Sequence, residues 1–145
     1  MAYHEGVSQH EIEASVLTQW RRIAVVGLSD RASRPSFGVT EYMRAQGYTI
    51  LPVNPRLTSW LGLTTYPDLA SVPPPLEIVN VFRRSELAGA VVDDAIRAGA
   101  KAVWLQEGVV DEAAARRAED AGLLVVRDRC ILKAHRALGI WTRPS

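Results

Sequence analysis

The stretch "YMRAQGYTILPV", residues 42–53, contains the unit from which the predicted fold is built. A helical segment stops at Gly47, and a β-branched apolar run begins within three residues of it. Glycine readily takes the left-handed conformation that ends a helix, so Gly47 marks the boundary. The same order of helix, glycine and strand recurs at Gly99 and Gly122. These repeats predict alternating helices and strands, as in α/β domains.

Five short apolar runs are predicted to be strands. Most are continuous rather than alternating, which is typical of parallel strands covered on both faces. Their starts lie 21 to 29 residues apart, close to the size of a βαβ unit. We therefore predict a doubly wound, Rossmann-like domain with helices on both faces of a five-stranded parallel sheet of strand order 3-2-1-4-5. The predicted strands are Ile23–Leu28, Thr49–Val53, Ile78–Phe82, Ala102–Leu105 and Leu123–Val126.

Helix starts are predicted from residues whose short polar side chains cap free backbone N–H groups. The capping box "SQHE" predicts a helix over Ser8–Thr18, within an N-terminal extension of residues 1–19. We assign this extension to a single domain of residues 1–145. Residues 54–77 are rich in proline and leave room for a short helix only. The other predicted caps are Ser36, Ser85, Asp111 and Asp128.

The bulk composition excludes several classes of protein. A net charge of +1 disfavours general binding to nucleic acid or to membrane surfaces. No apolar run approaches the roughly 20 residues that span a bilayer, and the first residues carry acids without an apolar signal core. With one cysteine, Cys130, no internal disulfide can form. We expect a cytoplasmic protein.

Arginines follow every predicted strand except the fourth. In open parallel sheets the ligand binds outside the carboxyl ends of the strands, where the strand order reverses. Seven of the fifteen arginines fall at this edge, and the planar guanidinium group suits phosphate oxygens. The pattern predicts an anionic ligand. The seven are Arg31, Arg34, Arg56, Arg83, Arg84, Arg127 and Arg129.

The loop "VVGLSDRASRPSFGV", residues 25–39, follows the first predicted strand. Gly27 can let a backbone or a ligand approach closely. Ser29, Ser33 and Ser36 supply hydroxyls, and a helix that starts near Ser36 aims its amides and positive end at the loop. Although the loop lacks the G-x-G-x-x-G fingerprint, these features predict a pyrophosphate cradle.

The second predicted strand ends "PVNPR", where many NAD-binding domains carry an acid for the ribose hydroxyls. Arg56 stands there instead. An arginine suits a phosphorylated ribose, which disfavours NAD. Two ligands remain, namely NADP with its 2′-phosphate and coenzyme A with its 3′-phosphate.

The chain resembles the small stand-alone CoA-binding proteins of the CoA-binding Rossmann domain family, which are related to the α subunit of succinyl-CoA synthetase. The resemblance extends over roughly residues 12 to 138. It rests on "VVGLSDRASRPS", "ILPVNPR", "LGLTTYPDL", "IVNVFRRSE", "AIRAGAKAVWLQEGVV" and "VVRDRCILKAH", in this order and at the family's spacing.

The resemblance implies CoA held in an extended pose over the carboxyl edge of the sheet. Gly27, Ser29 and Arg34 would contact the pyrophosphate. The segment around Asn54 would lie by the 3′-phosphate, "VFRR" would wall the adenine or phosphate region, and "QE" at 106–107 would lie by the other half of the cofactor. The full set of predicted cofactor-binding residues is Gly27, Ser29, Asp30, Ser33, Arg34, Pro35, Ser36, Pro52, Asn54, Arg56, Phe82, Arg83, Gln106 and Glu107.

The chain also departs from its larger relatives. The synthetase α subunit carries a phosphorylated histidine in a second domain, whereas His4, His10 and His135 lie outside the shared motifs. We therefore expect CoA or acyl-CoA binding by a carrier, store or sensor, with no catalytic and no metal-binding residues. An NADP-dependent enzyme and a regulatory interaction module are the alternatives, and a protein partner or homo-oligomer stays open.

Two further residues have competing interpretations. Cys130 follows the fifth predicted strand and could form a mixed disulfide with the CoA thiol, or be a small buried residue. Trp60 lies in the proline-rich segment and could cover the ligand or pack beneath its own loop.

Overall fold

The computed structural model describes residues 6–140, which form a layered α/β structure. The helices are α1 (Gln9–Gln19), α2 (Pro35–Ala45), α3 (Ser85–Arg97), α4 (Glu112–Asp120) and α5 (Ile131–Leu138), with a 3-10 helix at Leu69–Ser71. The strands are β1 (Arg22–Val26), β2 (Thr49–Val53), β3 (Ser59–Trp60), β4 (Leu63–Thr64), β5 (Ile78–Val81), β6 (Ala102–Leu105) and β7 (Leu124–Val126).

Five of the strands form one parallel sheet in the order β2-β1-β5-β6-β7. All five coincide with the apolar runs that predicted them, so the Rossmann-like α/β class is confirmed. The antiparallel hairpin β3–β4 lies outside this sheet and was not predicted. It falls in the proline-rich segment, where two-residue strands leave no readable pattern.

The predicted strand order was wrong. Numbered along the main sheet, the observed order is 2-1-3-4-5 rather than 3-2-1-4-5. The cause is the side of the sheet on which residues 54–77 cross. They pack on the face opposite α2, through Leu69, Val72 and Leu76. Because crossovers between parallel strands are right-handed, a connection on the face opposite α2 leads the chain from β2 back across β1, so that β5 pairs with the other side of β1. The strand order therefore reverses between β1 and β5.

An apolar core covers each face of the sheet. One face packs against α3, α4 and the 3-10 helix, and the other packs against α1, α2 and α5. Alternate residues of β1 divide between the two cores, with Val25 on the second face and Val26 on the first. This double burial explains the continuous apolar runs. Among residues 6–140, no helix has the length and apolar character needed to cross a bilayer.

The helix caps are partly as predicted. Ser8 and Asp111 each accept a hydrogen bond from an N–H in the first turn that follows. The caps predicted at Ser36, Ser85 and Asp128 were wrong, since α2, α3 and α5 begin after Arg34, Arg84 and Cys130, none of which caps with its side chain. Those three polar side chains instead bind loops at the carboxyl edge of the sheet.

Candidate functional site

The floor of a cleft at the carboxyl edge is formed by residues that lie two positions beyond one aligned row of the sheet. The register aligns Pro52, Val25, Asn80, Trp104 and Val126 across the sheet. Two residues further along each strand, the same register brings four predicted site residues side by side. These four are Asn54, Gly27, Phe82 and Gln106, and all of them line the cleft.

The cleft has a volume of about 1010 Å³, at the upper end of the roughly 300–1,000 Å³ usual for ligand pockets. It lies over the point where the strand order reverses, the position at which such sheets bind ligands. Its lining comprises Gly27, Ser29, Asp30, Arg31, Arg34, Pro35, Ser36, Val39, Asn54, Pro55, Arg56, Leu57, Phe82, Arg83, Arg84, Gln106, Glu107, Gly108, Val109 and Cys130.

Twelve of the fourteen predicted site residues line this cleft. Ser33 and Pro52 do not. Ser33 is exposed in the loop before α2, and Pro52 is buried within β2, where its carbonyl accepts the N–H of Tyr66. Sequence reasoning missed the apolar walls Val39, Leu57 and Val109, because it considered polar residues after each strand. For the twelve, a place in the cleft wall is observed, and contact with a ligand stays a prediction.

Gly27 permits a close approach between two strands. Its φ is +86°, and a Cβ built on it would lie 2.1 Å from the carbonyl oxygen of Phe82. The neighbour that excludes a side chain is therefore the backbone at the end of β5. The sequence had left this partner open between a backbone and a ligand.

Two hydroxyls shape the loop between β1 and α2. The backbone N–H of Ser29 donates to Oγ of Ser36 at 3.0 Å, and the N–H of Arg31 donates to Oγ of Ser29 at 3.0 Å. Ser36 is buried as the second residue of α2, so its hydroxyl braces the loop. The sequence had assigned the hydroxyl groups of these serines to the binding of phosphate. In the structure both hydroxyl groups accept backbone N–H groups and so fix the shape of the loop.

Trp60 holds the same loop from beneath. Its indole N–H donates to the carbonyl oxygen of Ser29 at 3.0 Å, and its ring packs edge-on against Phe37 with the centroids 5.3 Å apart. Only 1% of Trp60 is exposed, and it does not line the cleft. Trp60 is therefore buried against the β1–α2 loop and Phe37 of α2, a place that neither interpretation of the sequence had named.

The first turn of α2 opens onto the cleft without a side-chain cap. Arg34 occupies the N-cap position and makes no capping hydrogen bond, and Pro35 follows at the first helical position. Pro35 has no N–H and the Phe37 N–H donates to the Arg34 carbonyl at 3.0 Å, so the partial positive charge at this end comes chiefly from the helix dipole. Asn54 joins this loop to the next strand, since its Nδ2 donates to the Leu28 carbonyl and its Oδ1 accepts the N–H of Arg56, at 2.9 and 2.8 Å.

Four arginines give the cleft its charge. Within residues 6–140, none of their guanidinium groups pairs with a carboxylate. Arg84, also in the lining, has only an exposed contact of 3.6 Å with Glu86. Uncompensated cations gathered around one cleft attract anions and suit bidentate contacts with phosphate. The four are Arg31, Arg34, Arg56 and Arg83.

Two of the seven predicted rim arginines turn away from the cleft. Arg127 forms ion pairs with Glu112 and Glu119 on α4, and both hydrogen bonds raise its pKa. Arg129 reaches the buried Glu13 on α1 at 3.4 Å. Both follow β7, the strand against which α1 packs. The prediction that they share the anionic site was wrong, because sequence alone did not show which acids face them.

The loop after β6 is held in place and carries little free charge. Both carboxylate oxygens of Glu107 accept hydrogen bonds from Nζ of Lys133, at 3.0 and 3.1 Å. Oδ1 of Asp128 accepts the Gly108 N–H at 2.7 Å, and Oγ of Ser85 accepts the Val110 N–H at 2.9 Å. This end of the cleft is therefore nearly neutral, whereas the β2–β1–β5 end is cationic.

Cys130 lies in the cleft wall at the start of α5 and is only 8% exposed. The interpretation as a small buried residue is therefore confirmed, and the mixed disulfide with the CoA thiol stays a prediction. Of the three histidines, His4 lies outside the described residues, His10 is exposed on α1, and His135 is buried on α5. Neither His10 nor His135 lines the cleft. Among residues 6–140 there is no cluster of three side chains suited to a metal ion.

The fold and the cleft define an α/β domain of Rossmann type with a cationic crevice at its switch point. The family model for the CoA binding domain matches residues 21–136. This chain belongs to that family. It is 41% identical over 131 residues to the uncharacterized protein YneT of Bacillus subtilis, covering 90% of this chain and 96% of that one.

Two solved structures extend the comparison. A hypothetical protein from Pyrococcus horikoshii is 34% identical with a TM-score of 0.87, covering 93% of this chain and 94% of that chain. A dinucleotide-forming acetyl-coenzyme A synthetase from Candidatus Korarchaeum cryptofilum, in complex with phosphate and ADP, is 26% identical with a TM-score of 0.64. That match covers 72% of this chain and 25% of the synthetase chain.

Proposed function

We propose that this protein binds coenzyme A, or an acyl-CoA, in the cleft at the carboxyl edge of its sheet and acts as a carrier, store or sensor without catalysis. The observation that carries the proposal is the gathering of four unpaired arginines and an uncapped helix start around one cleft. Membership of the CoA binding domain family and the likeness to an acetyl-coenzyme A synthetase support it.

The uneven charge of the cleft matches the chemistry of CoA. The cofactor has phosphates at one end and an uncharged arm with a thiol at the other. The cationic end after β1, β2 and β5 would hold the phosphates. The arm would extend toward Gln106, Val109 and Cys130, where Lys133 neutralises the only carboxylate of that loop in the cleft.

Arg56 distinguishes CoA from a simple pyrophosphate ligand. It is exposed at the end of β2, and Asn54 fixes its backbone N–H. We assign it to the 3′-phosphate. NADP also carries a phosphate on its ribose, so this residue alone does not separate the two ligands. The neutral end of the cleft favours CoA, because a nicotinamide nucleotide has no uncharged arm of comparable length.

The absence of catalysis is also part of the proposal. Glu107 is engaged by Lys133, and Asp30 makes no hydrogen bond to a potential nucleophile within residues 6–140. A general base would need such a nucleophile within reach. We further propose that the ligand is a small molecule rather than nucleic acid.

Native mass spectrometry of freshly purified protein, followed by calorimetric titration, tests the proposal. The titrations use CoA, dephospho-CoA, NADP and ATP. We expect CoA to bind most tightly and dephospho-CoA to bind more weakly. Equal affinity for CoA and dephospho-CoA would refute the assignment of Arg56, and tighter binding of NADP than of CoA would favour the dinucleotide alternative.

A further inference from the structure

Asn80 is a polar residue in an apolar row. The register places it between Val25 of β1 and Trp104 of β6, and at most 1% of each of the three residues is exposed. A buried amide costs stability unless it is hydrogen-bonded. Packing therefore does not explain an asparagine at this position, whereas its hydrogen bond to Gln106 does.

Asn80 lies directly beneath a residue of the cleft floor. Nε2 of Gln106 donates to Oδ1 of Asn80 at 2.6 Å, in a buried contact. Gln106 follows Trp104 by two residues, so its side chain is on the same face of the sheet and one row closer to the ligand edge. Only 3% of Gln106 is exposed, yet it lines the cleft. The contact fixes the orientation of the Gln106 amide.

This orientation leaves one group of Gln106 available. Among residues 6–140, its Oε1 receives no hydrogen bond, because the amide nitrogen is the group directed at Asn80. A carbonyl oxygen accepts N–H donors and repels phosphate oxygens. It also lies at the end of the cleft that lacks unpaired arginines. The floor of this neutral end therefore suits an uncharged N–H donor.

We propose that Asn80 is a positioning residue that holds Gln106 so that its Oε1 accepts the N–H of a secondary amide in the ligand. This inference rests on the proposed function, since the arm of CoA carries two secondary amides between its phosphates and its thiol. Gln106 thus recognises the arm, and the arginines hold the phosphates. Asn80 acts through Gln106 and makes no ligand contact of its own.

Calorimetric titration with two ligands separates these roles. CoA carries the arm, whereas adenosine 3′,5′-bisphosphate retains two phosphates and lacks the arm. We expect Gln106→Leu to weaken CoA binding about tenfold, as expected for a buried acceptor that is lost, and to change bisphosphate binding less than twofold. Asn80→Leu should show the same selectivity. The double variant should bind CoA no more weakly than Gln106→Leu alone, because both changes remove one interaction.

Two further variants control for stability. Asn80→Asp keeps an acceptor for Nε2 of Gln106 but buries a carboxyl group, so it should lower the melting temperature and still retain more of the CoA affinity than Asn80→Leu. Val103→Ala truncates a buried side chain on the opposite face of β6 and should lower the melting temperature without selective loss of CoA.

Three results would overturn the inference. One is an equal loss of both ligands in Gln106→Leu, the second is unchanged CoA binding in that variant, and the third is an additive loss in the double variant. These outcomes differ from a failure of the proposed function, in which the unmodified protein binds neither CoA nor the bisphosphate.

Discussion

The hydroxyl oxygen of Ser36 accepts the backbone N–H of Ser29 at 3.0 Å, so the second residue of α2 braces the loop that precedes the helix. Only 5% of Ser36 is exposed. The contact links the start of α2 to the loop after β1, and both Ser29 and Ser36 line the cleft. Loop shape and ligand binding should therefore change together when it is removed.

Ser36→Ala tests this coupling. The change leaves the half-buried N–H of Ser29 without its acceptor, which costs about 1–2 kcal/mol of unfolding free energy. CoA binding should weaken as the loop loosens. Urea unfolding and calorimetry measure the two effects. The matched control is Ser33→Ala, an exposed serine of the same loop outside the cleft, which should change stability by less than about 0.5 kcal/mol. Equal effects in the two variants would contradict the bracing role.

Gly27→Ala should be strongly destabilising. The added Cβ would lie 2.1 Å from the Phe82 carbonyl oxygen, at a φ of +86° that alanine avoids. The expected loss is about 3 kcal/mol or more, since β1 and β5 must separate. Gly38→Ala is the control, because nothing lies within 4 Å of its Cβ position and it is part of α2. That change should stabilise by about 0.5–1 kcal/mol. Thermal unfolding of both variants measures these changes in stability. A small loss of stability in Gly27→Ala would refute the close approach of β1 and β5.

His135 should make the stability of the protein depend on pH. Burial lowers its pKa below the usual 6.5, and its Nδ1 is hydrogen-bonded to the Tyr42 hydroxyl at 2.8 Å. Tyr48 packs edge-on against the ring, and Arg136 lies over the Tyr42 ring. No carboxylate among residues 6–140 pairs with His135.

The sign follows from proton linkage. Below pH 6.5 the unfolded state takes up a proton at His135 that the folded state resists, so stability falls as the pH decreases toward the folded pKa. His135→Gln should remove this part of the decline between pH 7.5 and 5. Urea unfolding at several pH values measures it. An unchanged pH profile in the variant would show that His135 is not the responsible group.

The strands and the site could be read from the sequence because both depend on local patterns. Double burial requires continuous apolar runs, and the runs at Thr49–Val53 and Ala102–Leu105 coincide with β2 and β6. Parallel strands bring residues that follow them to one edge. Residues as distant as Gly27 and Gln106 therefore lie in the same cleft.

The errors came from long-range choices that local patterns do not encode. The strand order depends on the face across which residues 54–77 pass, and no local pattern specifies that face. Arg127 follows a strand as Arg34 does, but its side chain forms ion pairs with Glu112 and Glu119 of α4. Asn80 was overlooked because it lies inside an apolar run, and its role emerges only from its contact with Gln106.

Calorimetric titration of CoA into Arg34→Ala, beside the unmodified protein, tests the central claim most directly. Arg34 lies at the cleft and at the start of α2, where we propose that the pyrophosphate binds. The control is Arg44→Ala, in the last turn of the same helix and outside the cleft lining. A charge-assisted contact is worth about 1.5–3 kcal/mol, so we predict a loss of roughly 10- to 100-fold for Arg34→Ala and none for Arg44→Ala. CoA binding that is equally tight in all three proteins, or absent from the unmodified protein, would contradict the account.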